Sequence, residues 1–255
     1  MVNYNAAFAL GFSDKWKIAA GSVLYLLAGI ISLLVMLPFN FMSEFLQMPA
    51  LSVITWALFM FIMAVPVTYA LIAGFTGKLP SWQETFSLCW KAGIVIIAYA
   101  MLLYVISNAA GYLIFGQEGY DFMQSNDLSA NEGALPSEVI AKVPLFIAMQ
   151  FLIYAVWWLL AATALFTFME GRKISHGFDL LRIARRFSMP YIIHLILAFL
   201  IGAAFVAGML VVGTILLASV IGVFLMPFVI LPGIYIMSIC VFSIAGQAYH
   251  GKDKK

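Results

Sequence analysis

Charge is what this sequence has least of. Only 9% of its 255 residues are Asp, Glu, Lys or Arg, where a water-soluble chain carries roughly 25%. A solvated surface cannot be built from that inventory, so an ordinary soluble domain is excluded. Cysteine is nearly missing as well, with two in the chain, which removes a disulfide-stapled scaffold. No triplet glycine repeat is present, and a formal net charge of +2 is too small for a nucleic-acid binder. What is abundant is apolar: 65% of residues are hydrophobic and mean hydropathy is +1.06. That abundance also excludes disorder. Lipid is the solvent these residues fit.

The few charges divide the chain into uncharged runs at 18–43, 45–77, 92–117, 143–169 and 187–251. A spanning helix needs roughly 20 apolar residues, so each of the first four runs holds one crossing. The last run, as a single helix, would extend about 97 Å, roughly three times the hydrocarbon thickness. It therefore crosses more than once.

The side on which the cations fall sets the number. Lys15, Lys17, Lys78, Lys91, Arg172, Lys173, Arg182, Arg185, Arg186, Lys252, Lys254 and Lys255 share one side if the final run crosses twice. Lys142 stands alone on the other side with Glu44, Glu118, Asp121, Asp127, Glu132 and Glu138. The positive-inside rule then places both termini in the cytoplasm. The fold class predicted is all-α: a polytopic membrane protein of six transmembrane helices in three hairpin-like units with short cytoplasmic amphipathic helices. The whole chain forms one membrane domain, with spans at about 18–37, 50–74, 93–115, 144–168, 191–217 and 226–248. An outer acidic loop covers 116–142 and a basic cytoplasmic loop 170–190. An uncharged turn is predicted near 218–226, punctuated by Gly222 and Pro227. Pro144 and Pro227 fall at span ends, whereas Pro66 and Pro232 lie within spans and are predicted to kink them. The first apolar stretch is a full span, so it is read as its own insertion signal.

Each even span closes on the same pair, Gly77-Lys78, Gly171-Arg172 and Gly251-Lys252. Each odd span is preceded by a mixed segment, at Ala6 to Lys17, Leu79 to Lys91 and Ile174 to Phe187. At an offset of 94 residues Gly77, Lys78 and Ser81 fall on Gly171, Arg172 and Ser175. This pattern predicts a threefold unit of an interfacial helix followed by two spans. In the second segment Trp82, Phe86, Cys89 and Trp90 recur at helical spacing and give one apolar face. In the third, Arg182, Arg185 and Arg186 oppose Phe178, Leu181 and Phe187. With Arg172, Lys173, Trp82 and Trp90 these arginines are the candidate contacts for anionic lipid or a partner protein. Topology-setting charge is the simpler reading of the same residues.

Chemistry-bearing patterns are scarce. No charge falls inside a predicted span, which argues against a pump, a carboxylate relay or a voltage sensor. Glu170, His176 and Asp179 are the one acid and imidazole grouping, without the spacing of a metal or hydrolase motif. No catalytic, metal or cofactor-binding residue is assigned, and no cofactor is predicted. His194 is read as a hydrogen-bonded interfacial histidine. Cys89 and Cys240 both fall toward the cytoplasmic half, so a disulfide between them is not predicted. Serine and threonine in spans ordinarily bond their own helix. Asn108, Thr68 and Ser238 are the candidates for lining a pathway, Asn108 foremost because its amide is costly in hydrocarbon. Ala198 with Gly202, Ala204 with Gly208 and Ser107 with Gly111 permit close helix contact, within the chain or in a homo-oligomer.

Several of these stretches resemble a prokaryotic polytopic membrane family catalogued as domain of unknown function 4013. The resemblance rests on Phe12-Ser13-Asp14-Lys15-Trp16-Lys17, on Gly77-Lys78-Leu79-Pro80-Ser81-Trp82 with Phe86, on Gly177-Phe178-Asp179 and Arg182 ahead of Tyr191, and on Gly246-Gln247-Ala248-Tyr249. It implies a multi-pass protein of the prokaryotic inner membrane, built from hairpins with short cytoplasmic helices, and it brings no catalytic residues. The function read from all this is a non-enzymatic membrane scaffold or a subunit of an envelope or transport assembly. Its partners would be membrane lipids, further copies of the chain or other assembly subunits. A channel or transporter for a small or apolar solute is the alternative. A lipid-modifying enzyme using His176 and Asp179 is the third.

Overall fold

The structure, a computed structural model, describes residues 2–46, 49–124, 137–218 and 220–251. Asp127 and Glu132 of the acidic loop, Ser219 of the predicted turn and the tail Lys252 to Lys255 lie outside the described residues. Among the described residues eight α-helices follow one another: α1 (Tyr4–Phe12), α2 (Lys15–Leu46), α3 (Pro49–Thr76), α4 (Trp82–Gln124), α5 (Ser137–Gly171), α6 (Leu180–Arg186), α7 (Met189–Leu217) and α8 (Val220–His250). A 3-10 helix, Ile174–Phe178, stands between α5 and α6. No strand occurs among the described residues. Among the described residues six segments are long and apolar enough to cross a membrane: Lys15–Leu34, Ile54–Thr76, Trp82–Gln117, Ile140–Gly171, Met189–Leu217 and Leu225–His250. The chain is a polytopic all-α membrane protein.

Polar side chains decide where the helices begin. Asn3 accepts from the Ala6 amide at 3.0 Å and opens α1, and Ser13 bonds back to the Leu10 carbonyl at 2.8 Å as α1 ends. Asp14 then accepts from the amides of Trp16 and Lys17, opening α2. Ser81 and Asp179 cap α4 and α6 in the same way, through the amides of Glu84 and Arg182. These short side chains satisfy amides that a helix start leaves without an intrahelical partner.

Several boundaries differ from those read off the sequence. The segment from Leu79 to Lys91 is no separate interfacial helix. From Trp82 it is the beginning of α4, because the buried stripe Thr85, Leu88, Ala92 and Val95 continues into the span at helical spacing with no breaker. The segment from Ile174 to Phe187, predicted as one helix, is split by Asp179 into the 3-10 helix and α6. α7 ends at Leu217 and α8 begins at Val220, so Gly222 and Pro227 lie inside α8, beyond a much shorter turn. Pro144 likewise lies inside α5, which starts at Ser137. A membrane helix tolerates such prolines because neighbours and local adjustment re-satisfy the freed carbonyl. The flanks of the predicted acidic loop are helical to Gln124 and from Ser137, with Gly116 at φ 72° breaking the helical path of α4.

The described chain divides into two compact units, residues 1–97 with 159–255, and residues 98–158. In the first, α3 and α8 are the central pair, with α2 and α7 packed on α8 and α1 laid against it. Tyr69, Leu71, Ile72, Tyr235, Ile239 and Ile244 are fully buried there. The backbones of α3 and α8 touch: a Cβ at Gly74 would overlap the Phe242 carbonyl, and one at Gly246 would overlap the Gly74 carbonyl. Lipid tails are as apolar as leucine, so close backbone approach of this kind, rather than a hydrophobic drive, holds membrane helices together.

The second unit is the antiparallel hairpin of the distal part of α4 and the first part of α5. Trp157 donates its indole N–H to the Tyr99 carbonyl at 2.7 Å, and Gln150 donates to the Ser107 carbonyl at 3.2 Å. The rings of Phe115 and Phe146 meet at 5.2 Å. These three pairs index the register of the hairpin from one end to the other.

Candidate functional site

The densest polar arrangement is at the basic end of the first unit, where α5 ends, α6 lies, α7 begins and α8 ends. Glu170, in the last turn of α5, is its centre. One carboxylate oxygen accepts from the Arg186 guanidinium at 2.5 Å, and the other accepts from the Tyr249 hydroxyl at 3.0 Å. The same guanidinium lies 4.5 Å from the centre of the Tyr249 ring, a cation–π contact. One acid thus ties α6 and α8 to α5.

Below Glu170 the hydroxyls form a ladder whose protons can be assigned. Thr167 lies 3.4 Å from the Tyr249 hydroxyl but donates to the Thr163 carbonyl at 2.7 Å. Thr163 donates to the Leu159 carbonyl at 2.7 Å, so at 3.0 Å it is the Tyr191 hydroxyl that donates to Thr163. The threonine hydrogens end on carbonyl oxygens of α5, which pass no proton onward. The ladder is therefore a seam joining α5, α7 and α8, not a proton wire.

Two further ties flank it. Arg172 reaches the Glu84 carboxylate in the first turn of α4 at 2.9 Å. Arg182 lies 3.7 Å from the Asp179 carboxylate and 3.1 Å from His176 Nδ1. A guanidinium only donates, so His176 accepts there and its proton sits on Nε2. Gly171 has to lack a side chain, because a Cβ would run into the His176 ring. On the α1 side Tyr4 and His194 Nδ1 are 2.6 Å apart, and the Asn3 amide donates to Gln247 at 2.7 Å. His250 donates from Nε2 to the Phe75 carbonyl at 2.9 Å, linking the end of α8 to α3.

The predicted site residues are consequently divided. Arg172, Arg182 and Arg186 meet Glu84, Asp179 with His176, and Glu170 respectively. Trp82 packs on Tyr69 with ring centres 4.8 Å apart, and Trp90 is exposed. His176 and Asp179 both meet Arg182, whereas Glu170 serves Arg186 and Tyr249. Among the described residues no three of His, Cys, Asp and Glu are placed to hold a metal ion. Cys89 and Cys240 are free thiols.

Asn108 belongs to the second unit and donates to the Tyr104 carbonyl of its own helix at 2.7 Å. Ser238, in the first unit, accepts from the Tyr25 hydroxyl at 2.8 Å and donates to the Ile234 carbonyl. Thr68 is fully buried, and among the described residues its hydroxyl has no hydrogen-bond partner. Sequence reading missed Tyr249 and Tyr191 as seam residues, and it missed Gln150. The available signal was a hydroxyl-bearing aromatic within a few residues of a span's charged end, which belt tyrosines share. Compared with protein-family models, with curated proteins and with solved structures, the chain shows no match.

Proposed function

We propose that this integral membrane protein is a non-enzymatic scaffold, or a subunit of an envelope or transport assembly, in a prokaryotic inner membrane with both termini in the cytoplasm. One observation carries the reading: the acids of the basic end are used to bind helices to one another. Glu170 joins α5, α6 and α8, Glu84 joins α4 to the end of α5, and Asp179 caps α6. Groups consumed in this way support a rigid frame rather than a reaction centre, which needs acids and bases directed at a substrate. The family resembled has no established activity and adds none.

The assembly reading is tested by extracting the protein directly from its native membrane into polymer-bounded lipid discs and measuring the mass of the particle. A particle containing more than one chain is expected, and a lone monomer at every expression level overturns it. The second reading, a channel or transporter, is favoured by the Thr68 hydroxyl, buried without a hydrogen-bond partner among the described residues. It requires cysteines placed at Thr68, Asn108 and Ser238 to react with aqueous thiol reagents; three unreactive positions remove it.

A further inference from the structure

Between α7 and α8 lies an open apolar groove of about 310 Å³. It runs along α7 from Phe205 to Leu217 and along α8 from Met226 to Met237. Among the described residues its one polar group, the Thr214 hydroxyl, is turned back to the Leu210 carbonyl at 2.8 Å, so those residues present hydrocarbon and thioether to the groove. Gly213 lies at the floor with the Met226 methyl packed over it, where a Cβ would come within 3.3 Å of that methyl. Met209, Met226 and Met237 supply side chains that adapt to an irregular guest.

The groove stops partway down the helix pair. Nearer the basic end, Leu195 and Ala198 of α7 and Ile239 and Ile244 of α8 are fully buried, and a Cβ at Gly202 would already touch Val241. The twelve-residue rise from Phe205 to Leu217 amounts to about 18 Å, close to half of a hydrocarbon core of about 30 Å. A cleft one leaflet long is the wrong shape for a partner helix, which is about 10 Å across and continues through both leaflets. It has the right length for one hydrocarbon chain. We propose that a single acyl chain, from a phospholipid of the leaflet at the α7–α8 turn, lies in this groove as a bound lipid. The inference is independent of the scaffold reading.

The test uses the full chain reconstituted in phosphatidylcholine vesicles in which a small share of the lipid carries a diazirine midway along one acyl chain. After irradiation, labelled peptides are mapped by mass spectrometry. Labelling of 205–217 and 226–237 is expected to exceed severalfold that of the exposed α5 residues Leu145, Phe151 and Leu152. Gly213→Phe fills the groove and is expected to lower the α7 and α8 labelling severalfold while α5 labelling is unchanged. Equal labelling of groove and α5 residues in the unsubstituted protein overturns the proposal without recourse to any variant. So does undiminished groove labelling in a folded Gly213→Phe protein or a folded Met226→Trp protein.

Discussion

Glu170 and Tyr249, 79 residues apart in the chain, meet with the tyrosine hydroxyl 3.0 Å from the carboxylate. The same carboxylate takes a charge-assisted bond from Arg186, whose guanidinium covers the Tyr249 ring. Three helices are therefore fastened at one acid. Arg186 keeps 17% of its side chain exposed and Glu170 37%, so the pair is partly desolvated and stronger than a surface ion pair.

Replacing Glu170 should therefore be felt more than replacing Glu84. Glu170→Ala leaves a half-buried guanidinium without its acid, for an expected loss of about 1–3 kcal/mol. Tyr249→Phe removes a single hydrogen bond and is expected to cost about 1 kcal/mol. The Arg172 side chain is 56% exposed in its pair with Glu84, so Glu84→Ala is expected to cost under about 1 kcal/mol, and less in high salt. Thermal melts of the detergent-solubilised protein decide the order. A Glu84 variant that melts earlier than the Glu170 variant contradicts it.

The spans were legible in the sequence and this seam was not, for a physical reason. Lipid selects segments by their content, so the gap from Lys91 to Glu118 announces a helix without reference to the rest of the chain. A tie such as Glu170 with Tyr249 depends on which helices are neighbours, and apolar content does not encode that. Gly77 shows the middle case. A glycine at a helix end was correctly read as a terminator, and its φ is 68°. At the end of α5, however, the left-handed residue is Arg172, at φ 51°, one place beyond Gly171. Arg172 bonds back to the Phe168 carbonyl as Gly77 does to Ala73, so the two helix ends close in the same way on different residue types. Gly171 is reserved for the His176 ring, and Gly251 has no positive φ.

That difference gives opposite signs for two substitutions. A side chain at Gly77 meets open space, so Gly77→Ala pays only for left-handed backbone, about 1 kcal/mol. Arg172→Gly relieves the same conformation, worth about 1 kcal/mol, and gives up an exposed ion pair worth less than that. It is expected to match or exceed the parent in stability. Arg172→Ala keeps the strain, loses the pair and should melt earliest of the Arg172 set. An Arg172→Gly protein that melts below Arg172→Ala removes the explanation.

The contact of α3 with α8 predicts a size threshold. At Gly246 even alanine places a methyl against the Gly74 carbonyl, with backbone on both sides and nothing flexible to yield. Gly246→Ala is expected to cost about 1–3 kcal/mol, and Gly246→Leu more than that. Gly208 serves as the control, since a Cβ there meets nothing within 4 Å, and Gly208→Ala should leave melting unchanged or raised. Equal effects at Gly246 and Gly208 would show that α3 and α8 are not in backbone contact.

In the second unit the two side chains that donate to carbonyls of α4 should differ in weight. Trp157 binds the Tyr99 carbonyl at 2.7 Å and Gln150 the Ser107 carbonyl at 3.2 Å. Within a membrane a polar bond between helices contributes only about 0.6 kcal/mol on average, because the alternative states also find partners. Gln150→Leu is therefore expected to change stability by less than about 1 kcal/mol, with the lost bond offset by a side chain that suits hydrocarbon. Trp157→Phe loses a shorter bond together with ring area, and its cost should be the larger of the two. Trp157→Leu should cost more again. Proteolysis of the reconstituted protein between 98 and 158 reads this hairpin separately from the other unit. A Gln150→Leu protein cut faster there than Trp157→Leu would reverse the assignment of which pair holds the register.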